Sequence, residues 1–209
     1  GLIVANDDPY ALAFSPDGSA VFVTGTSYWD YGRIDYLTVA YESTAGARMW
    51  ARTYNGPTGS YDIARSIAVS PDGAVVFVTG ISNDYPDGGD DFATLAYSAA
   101  TGGTIWERRY NPAGANDDAY AISVSPDGSK VFVTGSAAGG ATDEDYATLA
   151  YDAATGADLW SASYDGPAHN NDIAVSQAIS PDGTRLFVTG YSYGGDAKLW
   201  DYATIAYEA

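Results

Sequence analysis

The sequence lacks several residue types that functional sites commonly use. It contains no cysteine, which excludes disulfide bonds, thiolate catalysis and cysteine-bound metals. Its single histidine, His169, excludes a metal centre built from several histidines. No apolar run approaches the roughly 18 residues of a membrane-spanning helix. Basic residues are scarce, 9 against 27 acidic ones, and the net charge of −18 argues against nucleic-acid binding, which needs cationic contacts to phosphate.

What remains is enough to build a folded domain. The 209 residues are 46% hydrophobic and 14% aromatic, so the acidity does not indicate disorder. This length suits one large domain or two small ones.

The chain is a tandem array of four similar segments. The tetrapeptide Ser-Pro-Asp-Gly recurs every 55 residues, starting at Ser15, Ser70, Ser125 and Ser180. A Phe-Val-Thr-Gly string follows each of them, and then come the segments Asp35–Tyr41, Asp91–Tyr97, Asp145–Tyr151 and Asp201–Tyr207. A last element contains Trp50, Trp106 or Trp160, and the fourth repeat stops at Ala209 before reaching it. Such periodicity indicates a repeat architecture.

Each repeat is predicted to form four β-strands. No helical period is present, and Pro-Asp-Gly provides a turn between the first two strands. Val21 and Val23 lie on one face of the second strand and Phe22 on the other, so both faces of the sheet are apolar. A repeated four-stranded antiparallel sheet covered on both faces is typical of a β-propeller, whereas β-solenoid repeats are usually shorter. We therefore predict an all-β, single-domain propeller over residues 1–209, with blades at about 8–54, 62–110, 118–164 and 172–209 plus 1–5.

The four repeats are arranged as two similar pairs. Counted two repeats at a time, equivalent residues are 110 apart, as for Trp50 and Trp160. The chain is thus predicted to consist of two 110-residue double-blade units, which favours a ring with an even number of blades. Gly1–Ala5 is a candidate outer strand that would pair with Asp201–Tyr207 and close a four-bladed ring. The alternatives are a piece of a longer propeller, or a strand supplied by another chain at an open edge.

The segments Ala121–Gly135 and Asp145–Trp160 resemble bacterial WD-like propeller repeats of the SBBP and YVTN types. The resemblance covers essentially the whole chain. It implies a secreted or cell-surface scaffold protein and adds little about chemistry. The Trp-Asp dipeptide that ends the third strand of eukaryotic WD repeats is absent.

One face of the predicted propeller is strongly acidic. The loops joining the second strand to the third, and the fourth to the next blade, share a face and hold 18 of the 27 acidic residues. The same loops contain only two basic residues, Arg33 and Lys198. A potential concentrated in this way attracts cations or basic partners.

Two groups of aspartates on this face are candidate calcium ligands, because hard cations bind carboxylate oxygens. One group lies on a glycine-containing loop and consists of Asp84, Asp87 and Asp90. The other begins the innermost strands, where it would circle the channel mouth, and consists of Asp8, Asp62, Asp118 and Asp172. The alternatives are an ordinary solvated loop for the first group and turn caps bonded to backbone N–H groups for the second.

Aromatic residues outside the repeat pattern are candidate ligand-binding residues. They are Trp29, Tyr31, Tyr85, Tyr191, Tyr193 and Trp200. Aromatic planes beside carboxylates suit a glycan or a protein ligand. The repeated tryptophans are instead expected to pack between blades.

The sequence therefore predicts a non-enzymatic binding or assembly module that takes a cation, a glycan or a protein through its acidic, aromatic loops. One alternative is a structural propeller that forms homo-oligomers by edge-strand pairing. Another is a carboxylate-dependent glycosidase or lyase, although no carboxylate pair is singled out. His169 could serve such an enzyme as a base, but a lone loop histidine is more often solvated.

Overall fold

The computed structural model describes residues 6–29, 33–84, 88–112, 114–138, 143–194 and 199–209. These residues form fifteen β-strands and contain no helix, which confirms the all-β prediction. Accordingly, no helix long enough and apolar enough to cross a membrane occurs among them.

The strands form four antiparallel sheets, each built from consecutive strands, and these are the predicted blades. Blade 1 contains β1 (Asp7–Phe14), β2 (Ala20–Tyr28), β3 (Ile34–Glu42) and β4 (Arg48–Tyr54). Blade 2 contains β5 (Asp62–Val69), β6 (Val75–Asn83), β7 (Asp90–Ser98) and β8 (Thr104–Tyr110). Blade 3 contains β9 (Asp118–Val124), β10 (Lys130–Ala138), β11 (Glu144–Asp152) and β12 (Asp158–Tyr164). Blade 4 contains three described strands, β13 (Asp172–Ile179), β14 (Arg185–Tyr193) and β15 (Trp200–Glu208). The predicted closing strand, Gly1–Ala5, lies outside the described residues.

Three members of the recurring Ser-Pro-Asp-Gly tetrapeptide, the serine, the aspartate and the glycine, stabilise the first turn of a blade. In blade 1, Ser15 Oγ donates to Asp17 Oδ1 over 2.6 Å and accepts from the Ala20 amide over 2.9 Å. Asp17 also accepts from the Ser19 amide, and Gly18 adopts a φ of +72°, which favours glycine. The hydrogen bond from Ser15 is the main cause that lowers the pKa of Asp17 to about 2.

Consecutive blades pack face to face through aromatic side chains. Phe22, Tyr36 and Trp50 of blade 1 share a core with residues of blade 2 such as Val78 and Leu95. The Trp50 indole N–H donates to the Ala99 carbonyl of blade 2 over 2.7 Å. The blade 2–3 interface repeats this bond from Trp106 to Ala153 at 2.9 Å. The repeated tryptophans therefore pack between blades, as predicted.

The two ends of the blade array are exposed. Tyr202 of blade 4 is 85% exposed, whereas its equivalents Tyr36 and Tyr146 are fully buried. Leu12 of blade 1 is 63% exposed, whereas its equivalent Ile67 is 9% exposed. Blades 1, 2, 3 and 4 pack in succession, but among the described residues blade 4 makes no comparable packing with blade 1. The described residues thus form an open arc with two uncovered faces.

Candidate functional site on the loop face

The predicted acidic loops do lie together at one end of the blades. The Asn83 amide at the end of β6 donates to the Tyr61 carbonyl, which precedes β5, over 3.0 Å. The Glu144 amide at the start of β11 donates to Asn171 Oδ1, in the loop that precedes β13, over 3.3 Å. Hydrogen bonds between the two kinds of loop therefore fix this surface, which we call the loop face.

Three carboxylates of the loop face converge where blade 3 meets blade 4. Asp145, Asp165 and Asp172 each place a carboxylate oxygen within 4.8 Å of the other two. Asp172 is only 1% exposed; its Oδ2 accepts from the Gly166 amide over 2.6 Å, and its Oδ1 has no hydrogen-bond partner. Burial, followed by repulsion from Asp165 and Asp172, raises the pKa of Asp145 to about 6. This group, which we call the blade 3–4 carboxylate cluster, concentrates negative charge at one point of the loop face.

His169 borders this cluster in a backbone conformation that histidine rarely adopts. Its φ is +48°, whereas the residue 110 positions earlier is Gly59, with a φ of +67°. The imidazole is exposed, and its Nδ1 lies 2.6 Å from Asp165 Oδ2. That hydrogen bond raises the pKa of His169. Strained backbone of this kind next to a carboxylate cluster is an arrangement that often accompanies function.

The equivalent position between blades 1 and 2 has a different charge balance. There Asp35 and Asp62 occupy the positions of Asp145 and Asp172, and Arg33 Nε bonds Asp35 Oδ1 over 2.9 Å. The Asp62 side chain accepts from the Gly56 amide over 2.8 Å, as Asp172 does from Gly166. Burial raises the pKa of Asp62 to about 6.

Several substitutions distinguish these two sister sites, and two of them change the charge beside the shared aspartates. Counting 110 residues forward, Arg33 corresponds to Asp143 and Asn55 corresponds to Asp165. Positions 33, 35, 55 and 62 of the blade 1–2 site therefore carry a formal charge of −1. Positions 143, 145, 165 and 172 of the blade 3–4 site carry −4. Over these four positions the blade 3–4 site is therefore more acidic than the blade 1–2 site by three charges.

An arginine also balances the carboxylates between blades 2 and 3. Arg109 Nη2 lies 2.7 Å from Asp91 Oδ2 and 2.8 Å from Asp84 Oδ1. Arg109 is not among the basic residues predicted for the loop face, Arg33 and Lys198, because it belongs to a strand. Arg109 is the last residue but one of β8. That position could have indicated its role from the sequence, because a long side chain there can reach the loops.

The structure separates most of the predicted metal ligands from one another. Asp84 pairs with Arg109, and Asp90 accepts from Asn83 Nδ2 over 2.7 Å. Asp87 lies outside the described residues. Of the predicted channel ring, Asp62 and Asp172 accept from backbone amides, Asp118 accepts from the Tyr120 hydroxyl, and Asp8 is exposed on β1. Among the described residues, the blade 3–4 cluster is the one group of three carboxylates close enough to share an ion, and of the ring it includes only Asp172.

Three of the predicted aromatic residues come together on blade 4. The Trp200 ring packs edge-on against Tyr191 and Tyr193, with ring centroids 6.3 and 5.5 Å apart. Trp29 is 36% exposed at the end of blade 1. Tyr31 and Tyr85 lie outside the described residues.

Comparison with known proteins agrees with this architecture. The WD domain, G-beta repeat model matches residues 161–201. Sqt1 of Chaetomium thermophilum, solved bound to the N-terminus of the ribosomal protein L10, has a TM-score of 0.59 at 16% identity, over 96% of this chain and 43% of that chain. The WD40 domain of Toxoplasma gondii coronin has a TM-score of 0.56 at 11% identity, over 97% of this chain and 46% of that one.

A third similar structure is the propeller domain of the Trilobed protease from Pyrococcus furiosus, which has an open velcro topology. Its TM-score is 0.54 at 12% identity, over 98% of this chain and 57% of that one. This chain spans about half the length of the solved structures that it matches. A search of curated proteins finds no significant match. The fold and these likenesses identify the chain as a β-propeller, and the family match places a WD-like repeat at residues 161–201.

Proposed function

We propose that this protein is an interaction module that binds a basic segment of a partner protein on its loop face, with a partner arginine or lysine entering the blade 3–4 carboxylate cluster. The observation that carries the proposal is the difference between the sister sites. Arg33 neutralises Asp35 at one, whereas Asp143 and Asp165 add negative charge at the other.

The geometry of the other two interfaces supports a guanidinium as the ligand. Arg33 and Arg109 bond the aspartates equivalent to Asp145, at 2.9 and 2.7 Å. A planar guanidinium donates to carboxylates through paired N–H groups, so an arginine supplied by a partner would provide at the third interface what the chain provides at the first two. A partly buried pairing of this kind contributes more than an exposed one.

The WD-like fold supports an interaction role of this kind. Propellers of this class include Sqt1, which is known bound to the N-terminus of a ribosomal protein. We propose the corresponding role for this chain on the ground of its own charge distribution, because the likeness itself extends only to the fold.

Calcium is a second candidate ligand for the same cluster. Three carboxylates supply oxygen atoms only, which is the donor set that calcium prefers. The buried Asp172 Oδ1, which lacks a hydrogen-bond partner, would gain one bond to the ion. A glycan remains a third candidate, at the rings of Tyr193 and Trp200.

Isothermal titration calorimetry with a short arginine-containing peptide tests the proposal. The Asp143→Arg/Asp165→Asn double variant recreates the blade 1–2 site, and we expect it to weaken binding at least tenfold. Asp158→Asn, at the exposed start of β12 and the opposite end of blade 3, removes one charge and should leave the affinity within twofold. Equal binding by all three proteins would refute the proposal.

The reverse exchange should create a binding site, so its result cannot be explained by a variant that has lost stability. Arg33→Asp/Asn55→Asp copies the cluster into the blade 1–2 site, and a second equivalent of peptide should then bind. Two further experiments decide between the three ligand classes. Titration with calcium chloride tests cation binding, and a glycan array, with Trp200→Ala as the comparison, tests glycan binding.

A further inference from the structure

We propose that the two uncovered faces of the arc bind each other head to tail, so that two copies of the chain close one eight-bladed ring. This inference does not depend on the proposed function. The chain itself carries both halves of the required interface.

The uncovered face of blade 4 presents an aromatic side chain that every inner interface buries. The equivalent residues of blades 1, 2 and 3 are Tyr36, Phe92 and Tyr146, all fully buried against the following blade, whereas Tyr202 is 85% exposed. The Tyr36 hydroxyl donates to the Ala93 carbonyl of blade 2 over 3.1 Å. Tyr202 is thus a projecting side chain without the blade that would receive it.

The uncovered face of blade 1 offers the matching recess. In the inner interfaces the preceding aromatic lies over the glycine of the Phe-Val-Thr-Gly string. A Cβ on Gly80 would lie 2.9 Å from the Tyr36 hydroxyl, and one on Gly135 would lie 2.8 Å from Phe92 Cζ. The corresponding Gly25 borders a cavity of about 320 Å³, lined by Leu37 and other residues of blade 1. The recess therefore lies where the chain's own repeat places an incoming ring.

Apolar side chains around these two features are exposed only at the ends of the array. Phe187 of blade 4 is 45% exposed, whereas Phe77 and Phe132 are fully buried. On the other end, Leu12 is 63% exposed, whereas Ile122 of blade 3 is 8% exposed. Burying such side chains is the main driving force of association.

The alternation of blades fixes the partner as a blade 1, and because blade 4 does not pack on the chain's own blade 1 among the described residues, we assign that blade 1 to a second copy. Blades 1 and 3 resemble each other, and so do blades 2 and 4. The blade 2–3 interface is therefore an example of an even blade followed by an odd one. Blade 4 followed by blade 1 would repeat this order. By analogy with Tyr36, the Tyr202 hydroxyl would donate to the Leu37 carbonyl of the second copy. Two copies related by a two-fold axis make eight blades, within the usual range of four to eight.

Sedimentation velocity of the 209-residue chain in 0.3 M salt tests this inference. We expect a dimer of twice the 21.8 kDa chain mass at micromolar concentration. Leu12→Glu and Tyr202→Glu each place a charge in both interfaces of the ring, so each variant should be monomeric with an unchanged circular dichroism spectrum. Ile105→Glu, an exposed aliphatic position on β8 away from both end faces, should remain dimeric.

Mixing the two monomeric variants supplies a positive result. The mixture retains one unaltered interface, formed by blade 4 of the Leu12→Glu copy and blade 1 of the Tyr202→Glu copy, so a heterodimer should form. A monomeric wild type at 100 micromolar would overturn the inference and indicate that other blades or another protein cover these faces. Dimers that survive both substitutions, or a ladder of larger species, would also overturn it.

Discussion

At the scale of single residues, the departures from the repeat are more informative than the repeat itself. Asp143, Asp165 and His169 replace Arg33, Asn55 and Gly59 of the sister site. All three changes surround one carboxylate cluster, and at least one of them costs conformational energy. Such local costs are expected where selection for binding outweighs selection for stability.

The backbone of His169 provides a residue-scale prediction. A non-glycine residue in the left-handed region costs roughly 1–2 kcal/mol, and an exposed His–Asp pair contributes little to stability because solvent screens it. We therefore expect His169→Gly to raise the melting temperature by about 2–4 °C, as about 1 kcal/mol does in a chain of this size. Calorimetry at pH 7 measures this, with His169→Ala as the control that keeps the strain. No gain in the glycine variant would mean that the Asp165 contact outweighs the strain.

The buried carboxyl groups predict how stability depends on pH. Burial raises the pKa of Asp117 to about 7 and that of Asp62 to about 6, above the usual value of 3.8. Between about pH 4 and 7 the folded chain therefore holds protons that the unfolded chain has released, so stability falls as the pH rises through this window. Below it the trend reverses, because Asp17, with a pKa of about 2, becomes protonated.

Thermal unfolding at pH 5 and pH 8 tests this prediction, and the melting temperature should be several degrees higher at pH 5. Asp117→Asn keeps the oxygen that accepts from the Ala138 amide and should flatten the pH dependence. A melting temperature that rises steadily from pH 5 to pH 8 would contradict it.

At the scale of elements, the turns and strands follow from short-range signals, and this part of the fold was predictable. Ser-Pro-Asp-Gly and the alternating apolar strands act within one blade, so each can be recognised from adjacent residues. The carboxylate cluster was not predicted, because it joins residues of two blades through loops that the sequence separates by 20 residues between Asp145 and Asp165. Aligning the two 110-residue halves would have exposed the changes at Asp143 and Asp165.

The aspartate of the Ser-Pro-Asp-Gly turn provides a prediction at the scale of elements. Asp127 accepts from Ser125 Oγ at 2.6 Å and from the Ser129 amide at 3.0 Å. Asp127→Ala removes these bonds and should lower the free energy of unfolding. Asp127→Asn retains an acceptor and should cost less than half as much. Urea unfolding at pH 7 measures both, and equal losses would assign the effect to charge rather than to the hydrogen bonds.

The packing between blades provides a second prediction at the scale of elements. Trp106 is 6% exposed, donates to the Ala153 carbonyl and contacts the Tyr151 ring of the next blade. Trp106→Phe leaves that carbonyl unpaired and a gap beside it, so we expect a loss of about 2 kcal/mol or more. The half-exposed Trp200→Phe should change the free energy of unfolding by less than about 0.5 kcal/mol. Similar losses in both variants would contradict the role given to the repeated tryptophan.

At the scale of the whole molecule, charge and apolar surface are segregated. Most of the acidic residues belong to the loops of the loop face, while Leu12, Phe187 and Tyr202 are exposed on the end faces of the arc. Salt should therefore weaken binding of a basic peptide and strengthen association of the chain with itself, because it screens attraction in the first case and repulsion between two highly negative copies in the second. Calorimetry and sedimentation at 0.05 and 0.5 M salt measure the two effects, and a common direction would contradict this division of the surface.

The most direct test of the interaction role is a nuclear magnetic resonance titration of isotope-labelled protein with an arginine-containing peptide. We predict that the largest shift changes fall on Asp143–Asp145 and Asp165–Asp172, and that the Ser-Pro-Asp-Gly turns at the opposite end stay unchanged. The Asp143→Arg/Asp165→Asn variant should lose these changes. Shifts concentrated on the turns, or spread evenly over all the acidic loops, would contradict a binding site at the blade 3–4 carboxylate cluster.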